Sequence, residues 1–160
     1  EIRGFWRQPD SIGFNGSIAL TNVTFRNQSA DAVVAQIHYT NRVVEFVEPR
    51  LWRGTQAMSA ARIAADFNTW RIHFTNGYST ADPMVVARAI GQKVERALEP
   101  YHFTQPPIAR VNGYAPLKGS VNADLRFSLD GGPFEWWKFR LPRVSGDLHW
   151  LNDTLSLTNI

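Results

Sequence analysis

The sequence predicts a mainly β fold, in which a bent antiparallel sheet of eight or more strands carries one amphipathic helix. The first observation is that apolar and polar residues alternate in many short runs separated by turn residues, which is typical of strands. The second is that one stretch, between Asp82 and Pro100, has helical spacing instead. The third is that most connections are too short for parallel crossovers, so the strands are expected to be antiparallel.

A short phrase, apolar-x-apolar-Thr-Asn, occurs at Ile18–Asn22, Ile72–Asn76 and Leu155–Asn159. Each copy indicates a strand end, where two apolar side chains share a face and a β-branched Thr and a turn-prone Asn follow. An array of similar strands binds or carries ligands more often than it catalyses. The sequence stops at Ile160, directly after the third copy, and Glu1 is not an initiator Met. We therefore expect residues 1–160 to be a single segment of a longer chain.

Composition favours one globular domain, because 44% of the 160 residues are hydrophobic and 19% are charged. The sequence contains no Cys, which excludes disulfides and thiolate metal sites. The net charge is +3, and the basic residues are scattered rather than grouped in a stripe, so nucleic acid is not an expected partner. No apolar run is long enough for a membrane helix.

The helix is predicted over about residues 83–98. Asp82 suits the N-cap, and Pro83 suits the first helical position. Pro100 is expected to close the helix, and a stripe formed by Val86, Ile90 and Val94 is expected to dock it on the sheet.

The clearest strand alternation runs from Val121 to Leu129. The following Asp130-Gly131-Gly132-Pro133 predicts a hairpin turn into a strand from Phe134 to Leu141. On such a strand, Trp136 and Trp137 would face opposite sides. Two interpretations stay open: the strand lies between the sheet and the helix, or one of its faces lines an apolar groove.

Catalytic residues are not expected, and neither a metal nor a cofactor is predicted. The four histidines are not at metal-ligand spacing, and no Ser lies in a Gly-x-Ser-x-Gly motif. The remaining enzymatic hypothesis is a carboxylate pair on neighbouring strands, drawn from Asp124, Asp130, Glu135 and Asp147. Nothing in the sequence marks two of them as buried, so the chain is predicted not to be an enzyme.

The stretch from Asp82 to Ile160 resembles the AsmA-like proteins of the bacterial envelope, which are similar to TamB and to bridge-like lipid-transfer proteins. Leu20-Thr21-Asn22-Val23 resembles the same unit one cycle earlier. The residues that carry the resemblance are Asp82-Pro83, Pro106-Pro107 before a strand ending at Gly113, Gly131–Trp137, Gly146–Trp150 and Leu155–Ile160.

The resemblance implies a β-taco-like groove with an apolar interior, and phospholipid transport or outer-membrane homeostasis in the periplasm. It also implies that other parts of the parent chain anchor it to the inner membrane, and it supplies no catalytic residues. A glycan- or protein-binding β-domain, or a purely structural one, is the alternative. For any single candidate, an ordinary core under the helix is also an open interpretation. The groove candidates are Val121, Ala123, Leu125, Phe127 and Leu129 in one row, Phe139 and Leu141 on the neighbouring strand, Leu148 and Trp150 on the next, and Leu155 and Leu157 beyond.

Overall fold

The computed structural model describes residues 2–5, 8–90, 92–118, 123–152 and 154–159. Of the described residues, 69% are in strands, and the main sheet is antiparallel and bent, which confirms the predicted fold class. In chain order the elements are β1 (Ile2–Phe5), β2 (Gln8–Phe25), β3 (Gln28–Thr40), β4 (Val43–Arg53), β5 (Gln56–Ser59), β6 (Arg62–Asp66), β7 (Arg71–Ser79), α1 (Pro83–Ile90), α2 (Gln92–Leu98), β8 (Tyr101–Phe103), β9 (Ile108–Pro116), β10 (Asp124–Gly131), β11 (Phe134–Trp136), β12 (Phe139–Leu141), β13 (Val144–Leu151) and β14 (Thr154–Thr158).

The strands form two separate sheets. The main sheet has eleven strands in the order β1-β2-β3-β4-β5-β7-β9-β10-β13-β14, and β6 pairs with both β4 and β7. The small sheet has three strands in the order β12-β11-β8. Most main-sheet neighbours are also neighbours in sequence, so much of the pairing is local.

A line of irregular pairing crosses the middle of the main sheet, and we call it the bulge line. Its members are Glu48 in β4, Ala61 between β5 and β6, and Asn76 in β7; Glu48 and Asn76 have φ of 47° and 50°. The amide of Glu48 donates to the carbonyl of Ala61 at 3.0 Å, and the amide of Ala61 donates to Thr75 at 3.0 Å. Bulges increase local twist and bend the strands that contain them, so this line accounts for part of the bend of the sheet.

The repeated Thr-Asn phrase has a conformation of its own. Asn22, Asn76 and Asn159 have φ of 54°, 50° and 57°, so each copy ends in a left-handed residue. The prediction of a strand end is wrong for the first two copies, because β2 continues to Phe25 and β7 to Ser79. Asn tolerates the left-handed region better than most residues, so it distorts a strand without ending it.

The helical region begins where the sequence predicts. The carboxylate of Asp82 accepts a hydrogen bond from the amide of Met84 at 2.8 Å, which is the geometry of an N-cap. Of the predicted docking stripe, Val86 is half-buried, and the side chains of Ile90 and Val94 lie outside the described residues. Among the residues of α1 whose burial is described, Ala87 is the fully buried one, at 1% exposure. The guanidinium of Arg26 reaches the carbonyl of Ala89 at 3.2 Å, which ties the end of α1 to the β2–β3 turn.

The predicted hairpin at residues 130–133 is wrong. β10 already pairs with β9 on one side and with β13 on the other, so the chain leaves the main sheet after Gly131 and enters the small one. The hairpin lies further on, where Trp137 and Lys138 connect β11 to β12. The expectation that Trp136 and Trp137 face opposite sides of one strand is therefore also wrong.

The surface is large for the mass of the chain. The accessible area is 11187 Å² for 18.1 kDa, whereas a compact monomer of that mass exposes ~8,100 Å². The buried hydrophobic residues among those described are mostly alanines, and Leu125 and Phe134 are the large ones. The strands therefore cover one another less completely than in a closed sandwich.

Candidate functional site

One face of the main sheet carries rows of uncharged residues between β1 and β13, and we call it the apolar face. Directly opposite residues of antiparallel strands project from the same side, so the pairing register defines rows of side chains across the sheet. None of the residues in three such rows is charged. The first is Ile2, Phe14, Tyr39, Val44, Ala65, Ile72 and Ala115; the second is Gly16, Ile37, Phe46, Ile63, Phe74, Gly113, Leu125 and Trp150; and the third is Leu20, Val33, Leu51, Met58, Ser79, Ala109, Leu129 and Gly146.

The large side chains of the middle row are mostly half-buried. Phe46, Ile63 and Phe74 are of this kind. The rings of Phe14 and Tyr39 in the neighbouring row stack with centroids 5.5 Å apart. Half-burial of adjacent large residues means that they cover one another laterally and that part of each still reaches the surface.

The opposite side, which we call the polar face, carries the cross-strand charge pairs. Glu45 pairs with Arg62, and Asp124 Oδ1 lies 2.8 Å from His149 Nε2. The guanidinium of Arg71 lies 4.5 Å from the ring centre of Tyr114. Burying a charge away from water costs free energy, whereas a charge exposed to water costs little. The charge pairs therefore indicate that the polar face is exposed to solvent.

Arg53 departs from this division, as does Asp31 on the adjacent strand, whose Oδ2 accepts a hydrogen bond from the amide of Gly54 at 2.6 Å. Arg53 follows Leu51 with the same alternation, and it pairs with Gln56 at the end of β4. Its side chain is half-buried, and its Nη1 is buried without a hydrogen-bond partner among the described residues. A buried guanidinium nitrogen with an unused donor is rare in proteins and calls for a physical explanation.

The predicted row on β10 lies on the apolar face. Leu125 is 5% exposed, and Phe127 and Leu129 are half-buried. Ala123 is buried directly before the strand, and Val121 lies outside the described residues. The row thus joins the face that crosses the whole sheet.

The next two predicted pairs also lie beside this row. Leu148 and Trp150 on β13 are directly opposite Phe127 and Leu125. On β14, Leu157 and Leu155 are opposite Leu148 and Trp150 in turn. Leu157 is exposed at the edge, and the side chain of Leu155 lies outside the described residues.

Phe139 and Leu141 were expected on the strand next to β10, and that placement is wrong. They belong to β12 of the small sheet, where they pair with Trp136 and Phe134. The reason is the same as for the missing hairpin, since both edges of β10 are occupied by β9 and β13.

Sequence reasoning missed the part of the apolar face that β2–β7 contribute. Phe14, Ile37, Phe46, Ile63 and Phe74 lie in its rows although none was singled out as a candidate. The signal was present as alternation within each strand. Alternation alone could not show which residues of different strands share a face, because β4 and β7 each contain an extra residue that reverses the alternation partway along the strand.

The small sheet has an aromatic side and a polar side. Tyr101, Phe103, Phe134, Trp136, Phe139 and Leu141 share the aromatic side by register. Trp136 lies 6.4 Å from Tyr101 and 6.3 Å from Phe139 between ring centres. On the polar side, Arg140 Nε donates to Glu135 at 2.7 Å, and this hydrogen bond raises the pKa of Arg140.

The four carboxylates of the enzymatic hypothesis have separate partners. Asp124 contacts His149, Asp130 contacts Arg143 at 2.9 Å, and Glu135 contacts Arg140. Asp147 accepts a hydrogen bond from Asn159 at 3.0 Å. Within the described ranges, no three His or acidic side chains gather as metal ligands. Each of these carboxylates is thus engaged by a partner that is not another member of the set.

The helical segments of the described chain are too short and too polar to cross a membrane. No protein-family model, no curated protein and no solved structure matches the chain.

Proposed function

We propose that the apolar face binds the acyl chains of phospholipid, and that the chain is a segment of an envelope protein in phospholipid transport or outer-membrane homeostasis. The observation that carries the proposal is the continuity of uncharged rows across the sheet, opposite a face that holds charge pairs. A face built only to seal a core would need a second layer of matching size. The described helical segments span 15 residues.

The dimensions suit an acyl chain. The two longer rows have eight residues each, one per strand; at about 4.8 Å per interval, such a row is ~34 Å long. One acyl chain spans half of the hydrocarbon core of a bilayer, ~15 Å. Each buried methylene contributes about 0.8 kcal/mol, so even partial contact along a row would give substantial binding.

Arg53 provides a binding group for the polar end of the proposed ligand. Its half-buried side chain follows Leu51 on the same face and lies opposite Gln56, with Nη1 lacking a partner in the described chain. Guanidinium groups bind phosphate through charge-assisted hydrogen bonds. A phospholipid with its tails along the rows and its phosphate at Arg53 would satisfy both features.

The resemblance to AsmA-like proteins supports the same function. It implies a location in the periplasm, with inner-membrane attachment through other parts of the parent chain. The proposal needs no cofactor, and it assigns no catalytic residue.

Lipid extraction and native mass spectrometry of protein purified without detergent test the proposal. We expect bound phospholipid in the parent, strong loss of it in Phe127→Gln, and retention in the neighbouring Arg126→Gln, which changes the polar face. Arg53→Gln should lower the amount of retained phospholipid more than it lowers the amount of retained fatty acid. Circular dichroism must show that the variants are folded. A lipid-free parent that takes up no lipid from vesicles would leave the glycan-binding, protein-binding or structural alternatives.

A further inference from the structure

We propose that the β11–β12 hairpin, Phe134–Leu141, is a contact site for the headgroup region of an anionic membrane. This hairpin, which we call the aromatic hairpin, belongs to the small sheet and contributes nothing to the rows of the apolar face. The inference therefore goes beyond lipid binding by the main sheet.

The first argument is exposure. Trp136, Trp137 and Phe139 are 43%, 73% and 66% exposed. Single exposed apolar residues are ordinary, whereas three adjacent aromatic ones form a patch that marks an interaction surface. Trp and Tyr rings are enriched at the level of lipid headgroups, because one end of the ring is apolar and the other forms hydrogen bonds.

The second argument is the conformation of the turn. Trp137 has φ of 58°, at the first position of a two-residue loop where Gly, Asn or Asp is usual. For a bulky side chain, this left-handed conformation costs stability. The amide of Trp137 donates to the carbonyl of Pro100 at 3.2 Å, which fixes the turn against the end of the helical region. A strained, fixed and exposed Trp contributes little to folding, so a contact outside the chain explains it better.

The third argument is charge, which selects the partner. Lys138, Arg140 and Arg143 lie in or directly after the hairpin; Arg140 is paired with Glu135 and Arg143 with Asp130, so Lys138 at the turn carries the net positive charge of this group. The side chains of Arg140 and Arg143 are largely exposed. Basic side chains beside exposed aromatic rings match an anionic lipid surface. A second copy of the hairpin would bring like charges together, and a neutral glycan would make no use of them.

Flotation with lipid vesicles tests the inference. We expect the protein to float with vesicles of phosphatidylcholine and phosphatidylglycerol in equal amounts, and much less with phosphatidylcholine alone. Trp137→Gly combined with Phe139→Ser should weaken binding at least tenfold. The matched control, Trp52→Ser combined with Phe25→Ser, removes exposed aromatic residues elsewhere and should bind like the parent. Thermal melting confirms that both double variants are folded.

A charge exchange sharpens the test. Lys138→Glu should weaken binding to the anionic vesicles severalfold, whereas Arg126→Glu, an equal change on the polar face, should not. Absence of vesicle binding, equal loss in the controls, or equal binding to neutral vesicles would overturn the inference. Two other results would also overturn it. The hairpin variants could bind vesicles like the parent and instead lose dimerisation, or they could instead lose retention on a polysaccharide matrix. Bound lipid in the purified protein is measured separately, so this inference and the function of the apolar face can fail independently.

Discussion

The main sheet and the small sheet are built on the same alternation but differ in how far their apolar side chains are covered. In the main sheet, Leu125 is 5% exposed and its neighbours in the row are half-buried. In the small sheet, Phe139 is 66% exposed although Trp136 lies directly opposite. Both sheets place charged residues on the other face.

Strand length and strand number explain the difference. The strands of the small sheet have three residues each, so every side chain is close to an end. β10 has eight residues and is paired on both sides, which gives its middle side chains neighbours in four directions. Position matters within each sheet as well: Phe134 on the central strand β11 is 8% exposed, whereas Ile2 on the edge strand β1 of the main sheet is 79% exposed. Alternation therefore predicts which face a residue occupies, whereas the neighbours on both sides decide whether that residue is covered.

The strongest test of this contrast is Leu125→Asp. A carboxylate at this buried position has no partner, so we expect the free energy of unfolding to fall by about 4 kcal/mol. Arg126→Ser, one residue away on the polar face, should change it by less than about 0.5 kcal/mol. Urea unfolding measures both. A Leu125→Asp variant that stays as stable as the parent and loses lipid would mean that this part of the apolar face is open to water.

Gly113→Ala tests how closely the strands of the main sheet approach. Gly113 has φ of 119°, and an added Cβ would lie 2.0 Å from the carbonyl oxygen of Asp124 on β10. We expect a loss of about 3 kcal/mol in urea unfolding, because both the backbone and the strand contact must shift. Gly54→Ala is the control, since Gly54 is also left-handed but has open space around it. Its cost should be only about 1 kcal/mol, and equal costs would contradict the close approach.

The same substitution in each sheet compares them directly. Phe127→Ser removes a half-buried ring from the apolar face and should cost about 2 kcal/mol. Phe139→Ser removes an exposed ring from the small sheet and should cost less than about 0.5 kcal/mol. Parallel urea titrations give the difference. Equal losses would show that the small sheet depends on its aromatic side as much as the main sheet depends on its apolar one.

Trp137→Gly should stabilise the protein slightly or leave it unchanged. Glycine adopts the left-handed conformation at φ of 58° without steric cost, which recovers up to about 1 kcal/mol of strain, less the extra entropy of glycine in the unfolded chain. Differential scanning calorimetry is sensitive enough to measure this. A clear fall in melting temperature would mean that the Trp137 ring supports the fold, which would weaken the argument for an external contact.

The smallest expected effect concerns the loop between β6 and β7. Hydrogen bonds from the Thr69 hydroxyl and the Asn68 amide, both at 2.8 Å, lower the pKa of Asp66. Its stabilising contribution is therefore present above the unfolded pKa of about 3.9 and is lost as the pH falls through the lower folded value. The melting-temperature difference between the parent and Asp66→Ala should shrink in that range. A difference that is constant with pH would contradict the role of the charged carboxylate.

Local patterns predicted the fold class, the start of the helical region and the face of Leu125, Phe127 and Leu129. These features depend on neighbours in sequence, such as the Asp82 cap and the alternation within β10. The pairing of β13 with β14 was also accessible, because the two strands form a hairpin with complementary alternation.

Pairing choices over longer distances could not be predicted. Asp130-Gly131-Gly132-Pro133 has the chemistry of a hairpin turn, but β9 and β13 compete for the edges of β10 and leave β11 to the small sheet. Likewise, Thr75-Asn76 has the chemistry of a strand end, yet pairing of β7 with β9 resumes at Gly77 opposite Val111. In both places, strand partners overrode the local turn propensity.

The bulge line has a consequence for how such a sheet can vary. Its residues, Glu48, Ala61 and Asn76, lie outside the uncharged rows, so substitutions there alter curvature without changing the surface that a ligand would contact. Substitutions in the rows at positions other than Gly113, conversely, alter the contact surface and leave the backbone irregularities in place. Shape and chemistry are thus encoded at separate positions. Substitutions at single positions of the bulge line can therefore increase or decrease the curvature of the same sheet, to suit ligands of different width.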